Sequence, residues 1–504
     1  MAEVYAAGAG AELLRRAAER DAALAVVDEG GERSWGEVRA AAEGVAAWLA
    51  DTLEDPRGAF IATLAPPGAG WVSALLGIWR AGGIAVPLAP SHPEAELAYV
   101  LDDAGADAVL VEEPMEERIS PLARERSLAL GRISEAARRA EDPASPPPDG
   151  DAAALVLYTS GTTGRPKGVV HTHVGLAAQI VSLEEAWGWS PEDRILHCLP
   201  LHHTHGIVNA LLCPLWVGAT VEMLPGFDAD AVWRRFVGSP ITLFMAVPTI
   251  YHRLIAAWEE AEEEGRAAMS EACREQRLMV SGSAALPVPV FERWREISGH
   301  DLLERYGMTE VGMALSNPLE GERRPGTVGH PLPGVAVRLV TDEGEEIGAE
   351  GMPGEIHVSG PTLFREYLGR PEETAEAFDG EWFRTGDQGV VEDGYWRILG
   401  RRSVDILKSG GEKVSALEVE DVLRTHPAVD ECAVVGVADP EWGERVCAAV
   451  VPADGAGIAL DEIEAWTKER LAPHKVPRRW AAVDRLPRNA MGKVSKPTIA
   501  EMFE

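Results

Sequence analysis

Short apolar runs recur along this chain at spacings that leave room for a helix between them, and this pattern restricts the fold more than any other feature. Phe60–Leu64, Ile84–Pro87 and Ala108–Val111 are each too short for a buried helix and lack the alternation of a half-exposed strand. Between them, residues 71–80 and 94–103 carry helical spacing. Strands buried on both faces and joined through helices form a largely parallel sheet with helices on its faces. The pattern resumes at 195–199, 220–224, 243–247 and 277–280. Ahead of it, residues 11–50 read as two amphipathic helices around Ala25-Val26-Val27 and the turn Gly30-Gly31.

From about Gly326 the texture changes. Alternating segments at 335–340, 354–358 and 395–399, separated by glycines, predict an antiparallel β region. After Gly400, helices at 417–425 and 460–471 and strands at 429–437, 446–451 and 479–483 describe a small α+β domain. A chain of 504 residues exceeds one compact core. The expected fold class is therefore α/β: a large N-terminal domain, 1–400, of mostly parallel sheets flanked by helices plus a β-rich subdomain, then a small C-terminal domain, 401–504. The Pro-rich segment 142–151 reads as an exposed linker inside the first.

The stretch 158–168 reads YTSGTTGRPKG and follows one of the apolar runs. Glycines let a backbone approach a bulky anion. Successive amides, the hydroxyls of Thr159, Ser160, Thr162 and Thr163, and the Lys167 ammonium can then serve polyphosphate oxygens, with Gly161 and Gly164 giving the close approach. This is not a Walker loop, which needs Ser or Thr after Gly-Lys. A flexible surface loop is the plainer alternative.

Charge and cysteine usage narrow the partners. The net charge of −34, without a basic stripe, excludes nucleic acid, so anionic substrates must be drawn by local arginines and lysines. Five scattered cysteines without CxxC spacing argue against a disulfide framework and a zinc site. His202, His203 and His205 lack ligand spacing. No apolar run is long enough to span a bilayer, and the N-terminus mixes acids with arginines, as in the first helix of a cytoplasmic protein.

Further motifs follow the glycine loop in order: SGSAALP at 281–287, ERYGMTE at 304–310, FRTGD at 383–387, GRRSVDILKSGGEKV at 400–414 and PRNAMGK at 487–493. Together they resemble the acyl-activating superfamily of acyl-CoA synthetases, peptide-synthetase adenylation domains and firefly luciferase. The resemblance implies ATP, Mg²⁺ and the co-substrate CoA. A carboxylate attacks the α-phosphate to give an acyl-adenylate and pyrophosphate, and CoA thiolate then displaces AMP. It implies that Lys493 bridges carboxylate and α-phosphate, with Thr309 and Glu310 at the reacting phosphates. Glu310, with Thr309 or Thr162, would hold Mg²⁺, which prefers few protein oxygens plus phosphate and water. Ser283, Ala284, Ala285, Glu304, Tyr306, Gly307, Met308, Asp387 and Arg401 would contact adenine and ribose. Ser409, Gly410 and Gly411 match the loop that shapes the pantetheine tunnel once a mobile C-terminal domain has rotated about a hinge near Arg402 and Ser403. Many relatives carry Asp or Lys at the position of Ser403.

Arg305 departs from the common pattern, since most relatives place a small residue, often Gly, before this tyrosine. Arg253 lies in VPTIYHRL, a segment that usually lines the acyl pocket. Two guanidiniums suit the distal carboxylate of a short dicarboxylic acid, and Ser283 and His205 would add polar contacts. The alternative is surface pairing of the arginines with Glu304 or Asp301. With both arginines and LPLHHTHGI at 199–207, the chain is most similar to malonyl-CoA synthetases. That resemblance implies malonate, ATP and CoA as small-molecule partners of a monomer or homodimer.

Competing readings are a synthetase for methylmalonate or another short acid, an adenylation enzyme loading a carrier protein in trans, and a nucleotide sensor without turnover. A monocarboxylate would leave both arginines unpaired, at a cost of several kcal/mol. A sensor should have lost Lys493 or Glu310, and the chain has both.

Overall fold

The computed structural model describes residues 2–139, 149–159, 166–401, 404–409, 412–439, 442–453, 459–488 and 494–504. Its architecture is the expected mixed α/β one. Two large sheets carry the N-terminal part, a five-stranded antiparallel sheet follows, and a further five-stranded sheet is built entirely from residues after 405.

In the nine-stranded sheet, Leu243–Ala246, Leu278–Ser281 and Leu303–Met308 lie side by side and parallel. The first two are buried along their whole length, which is why they read as unbroken apolar runs. Leu303–Met308 then turns through Thr309 and Glu310 into the antiparallel strand Gly312–Ser316. SGSAALP and YGMTE therefore meet at the carboxyl ends of adjacent parallel strands, where open α/β sheets bind their ligands. The helix Pro248–Glu260 leaves the neighbouring strand, and Tyr251 fastens it to the sheet by donating to the Val280 carbonyl at 2.9 Å.

The seven-stranded sheet contains Phe60–Leu64, Ile84–Pro87 and Ala108–Val111 as parallel neighbours. At its other side Ala153–Thr159 pairs antiparallel with Lys167–Thr172, and Glu366–Tyr367 adds to that edge. Thr159 stands opposite Lys167, so the hairpin frames the glycine loop. In the antiparallel sheet the strand Trp382–Glu392 pairs with Tyr395–Arg401, which sets Asp387 opposite Arg401.

Two local features add detail to the sequence expectation. Between the helices Ala2–Glu19 and Trp35–Thr52 lies a hairpin, Leu24–Asp28 with Gly31–Ser34. Its second strand is polar because it is a sheet edge, and Ser34 also opens the next helix through a capping box with Glu37. Residues His205–Leu212 form a π-helical segment, a rare conformation with no simple sequence signature.

Candidate active site

The phosphate edge begins at the framing hairpin. Of the predicted loop residues, Thr159 ends one strand and Lys167 begins the other, whereas Ser160, Gly161, Thr162, Thr163 and Gly164 lie outside the described residues. The base of the hairpin is tied down from two sides. Tyr99 donates to the Pro166 carbonyl at 2.6 Å, and Tyr158 donates to Asp103 at 2.9 Å. Lys167 forms an ion pair with Glu373, and its ammonium lies 4.8 Å from the centroid of the Tyr367 ring.

The hydroxyl of that same tyrosine donates to Glu310 Oε1 at 2.9 Å. Tyr367 thereby joins the predicted phosphate lysine to the predicted metal carboxylate. Glu310 is buried, and burial raises its pKa against the opposing hydrogen bonds from its own amide and Tyr367. Thr309 is half-buried in the turn beside it. This donor set fits Mg²⁺. A buried carboxylate whose ionised form is penalised gains from a cation, and Mg²⁺ takes one or two protein oxygens together with phosphate and water. Among the described residues no group of three or more His, Cys, Asp and Glu side chains forms a dedicated metal cage. His202 and His203 stack with ring centroids 4.1 Å apart, and burial holds His202 down to about 2, so it stays neutral.

The nucleoside edge centres on Asp387. Its Oδ2 accepts from Tyr306 at 2.6 Å and its Oδ1 from Arg401 Nε at 2.9 Å. A carboxylate has about four acceptor sites, so lone pairs remain for ribose hydroxyls. Ser283, Ala284 and Ala285 are exposed, while Tyr306, Gly307 and Met308 are half-buried. A Cβ on Gly307 would stand 2.1 Å from the Gly312 carbonyl oxygen, so the tight turn requires glycine there. Glu304 is also predicted to lie beside the nucleotide. It is buried, and its Oε1 accepts the Leu286 amide at 2.9 Å, so it pins the SGSAALP loop from within.

Arg305 is 3% exposed, which removes the surface-pairing alternative. Its Nη2 donates to Ser283 Oγ at 3.4 Å, and Ser283 Oγ lies 3.2 Å from His205 Nδ1. Arg305 Nε and His205 Nε2 have no partner among the described residues. Burial pushes the guanidinium down to about 9, and the nearby Glu304 charge only partly offsets this. His205 is held well below its usual value, first by burial and then by the Arg305 charge, so it is a neutral imidazole. Ser283 itself is held at φ +68°, a left-handed conformation costly for serine and typical of functional sites. A buried cation whose partner so far is one hydroxyl, beside a neutral polar ring, is a receptor for an anion.

Arg253 does not join this cluster. The helix Pro248–Glu260 turns Ile250, Tyr251, Leu254 and Ile255 inward, which leaves Arg253 exposed. The expectation of two arginines in the buried pocket is thus corrected to one.

In the C-terminal part, Ser409 is buried at the end of the strand Ile406–Ser409. Arg402, Ser403, Gly410, Gly411 and Lys493 lie outside the described residues. The ends of the PRNAMGK loop are brought together by a bridge between Arg488 and Val494. All five cysteines are free and buried. No helix among the described residues is long and apolar enough to cross a membrane.

Sequence reasoning missed Tyr99, Asp103, Tyr367, Arg370 and Glu373. They reach the glycine loop from two distant segments, so local spacing gives no signal for them.

Comparison with known proteins agrees with this geometry. The AMP-binding enzyme family matches residues 13–368, and the AMP-binding enzyme C-terminal domain matches 418–493. The chain is 44% identical to the mitochondrial malonate–CoA ligase ACSF3 of Xenopus laevis, covering 95% of this chain and 89% of that one. It is 45% identical to the malonate–CoA ligase of Arabidopsis thaliana, covering 89% and 78%. Among solved structures, ATP-bound MatB from Rhodopseudomonas palustris superposes with a TM-score of 0.90 at 34% identity, covering 99% of both chains.

Proposed function

The chain belongs to the AMP-binding enzyme family, and from that premise we propose that it is an ATP-dependent malonate–CoA ligase. It uses ATP, Mg²⁺ and CoA, and yields malonyl-CoA, AMP and pyrophosphate. The observation that carries the substrate is Arg305, a buried guanidinium with one hydroxyl partner and an unpartnered Nε among the described residues.

Malonate has two carboxylates, of which adenylation consumes one. The other stays ionised, and in a site shielded from water it needs a charged, hydrogen-bonding partner. Arg305 supplies it, with Ser283 and neutral His205 beside it. An oxygen of the free carboxylate attacks the α-phosphorus, and pyrophosphate leaves with its bonding pair. Two anions must be brought together for this, so fixed cations and amides where charge builds lower the barrier. Lys167 and the glycine loop hold the β- and γ-phosphates, Asp387 holds the ribose, and Lys493 bridges the attacking carboxylate and the α-phosphate. Glu310 would hold Mg²⁺, which neutralises phosphate charge when bound. In the second step CoA thiolate attacks the acyl carbonyl and AMP leaves.

For that step the segment 401–504 rotates about Arg402 and Ser403 and brings Ser409, Gly410 and Gly411 to the pantetheine path. The proposed assembly state is monomer or homodimer, which sedimentation resolves. The proposed setting is cytoplasmic, whereas the Xenopus relative is named as mitochondrial; fractionation decides it.

The test is pyrophosphate release across a panel of short mono- and dicarboxylic acids with ATP and Mg²⁺ but no CoA. Malonate should lead the panel. Preference for acetate or propionate would replace malonate with a monocarboxylic acid.

A further inference from the structure

Lys167 is already engaged in this structure. Its ammonium is paired with Glu373, on the short helix Pro371–Glu376, and rests over the face of Tyr367. Glu373 is half-exposed and also accepts from Arg370 at 3.3 Å. Arg370 is fixed in turn by Asp103 at 3.1 Å, and Asp103 accepts from Tyr158 in the strand that enters the glycine loop. One carboxylate therefore stands between the phosphate lysine and a second, anchored cation.

We propose that Glu373 is a positioning residue that takes the place of phosphate on Lys167 when nucleotide is absent, yields it to the polyphosphate of ATP, and takes it back as pyrophosphate leaves. An ammonium has three donors and one charge. A single carboxylate neutralises it, yet a polyphosphate with several charges and many acceptors outcompetes that carboxylate. Arg370 remains beside Glu373 throughout, so the carboxylate keeps a partner after Lys167 departs. The Tyr367 ring gives the ammonium a second resting contact and limits how far it travels. Reclosure of the pair lowers the affinity for the first product, and product release sets the turnover of many enzymes. This inference rests on the reading that Lys167 holds polyphosphate.

Glu373→Gln removes the competing charge and keeps the shape. It should tighten binding of both ATP and pyrophosphate by about two- to fivefold, the size of an exposed ion pair. The gain should shrink in high salt. The measurements are the ATP dissociation constant without malonate and the inhibition constant of inorganic pyrophosphate. Glu373→Asp, which keeps the charge, should fall between Gln and the native residue. Glu372→Gln, one residue earlier on the helix, should leave both constants unchanged. Lys167→Ala separates the two ideas. If it weakens both ligands while Glu373→Gln leaves them unchanged or weaker, Lys167 keeps its role and the exchange is refuted. If Lys167→Ala changes neither, the phosphate reading itself fails and takes the exchange with it. Equal tightening by Glu372→Gln would reduce the effect to the general negative field and also overturn the proposal.

Discussion

Glu304 and Arg305 are neighbours on one strand and send their side chains to different partners. Glu304 Oε1 accepts the Leu286 amide at 2.9 Å, whereas Arg305 Nη2 donates to Ser283 Oγ at 3.4 Å. Successive residues of a strand face opposite sides. The two side chains adjacent in sequence are thus kept apart, and the guanidinium remains available for an anion.

Arg305→Gly should cut malonate kcat/KM by about two to four decades, the loss of one partner of a buried charge pair. Activity on acetate or propionate should hold or rise. Arg253→Ala, on the exposed helix face, should change malonate kcat/KM less than about threefold, since surface substitutions usually cost little. Comparable losses in both variants would return Arg253 to the pocket, and malonate turnover that survives Arg305→Gly would end the dicarboxylate reading.

A Cβ built on Gly282 would stand 2.5 Å from Arg305 Cζ. Gly282→Ala should therefore displace the guanidinium and raise the malonate KM about tenfold, or roughly 1.4 kcal/mol. The ATP KM should move much less. An equal change in both constants would point to general loosening of the loop.

Burial pushes the Glu304 carboxyl up to about 8, well above the usual carboxylate range, against the opposing Leu286 amide. The folded state then binds the proton more tightly than the unfolded chain. That contribution is fully present below the unfolded value and is lost as pH rises through the folded one, by up to about 1.4 kcal/mol per pH unit between them. Glu304→Gln should gain stability relative to the native protein as pH rises from 5 to 8. A constant difference in denaturation midpoint across that range would show that Glu304 does not titrate there.

Tyr367→Phe keeps the ring beneath Lys167 and removes the hydroxyl that Glu310 accepts. The half-saturating Mg²⁺ concentration should rise about three- to tenfold, since a hydrogen bond to a ligating carboxylate orients it toward the metal. The malonate KM should stay near its native value. An unchanged Mg²⁺ requirement would remove Glu310 from the metal site.

On the proposal that Lys493 bridges carboxylate and α-phosphate, Lys493→Ala should abolish adenylate formation and spare thioester formation from synthetic malonyl-AMP. Equal loss of both half-reactions would make the residue structural.

Much of this protein lay open in its sequence. The phosphate hairpin, the YGMTE turn and the Asp387 strand are contiguous segments, and the chemistry of each follows from a few adjacent residues. Helical period also puts residue 253 outside the buried stripe of Ile250, Tyr251, Leu254 and Ile255, a signal that the pocket expectation for Arg253 overlooked. The capping box at Ser34 and Glu37 was equally local.

The parallel sheets follow from the sequence, because strands buried on both faces must be continuously apolar, and so does the order of the motifs along the chain. Tertiary structure alone decided which charges meet. It set Glu304 on a loop amide and Arg305 on Ser283, and it brought Asp103, Tyr367, Arg370 and Glu373 to Lys167. Hydrophobic periodicity specifies which face of an element turns inward. A hydrogen bond or ion pair is a short-range contact between side chains, and its partners are chosen only when sheets distant in sequence have packed.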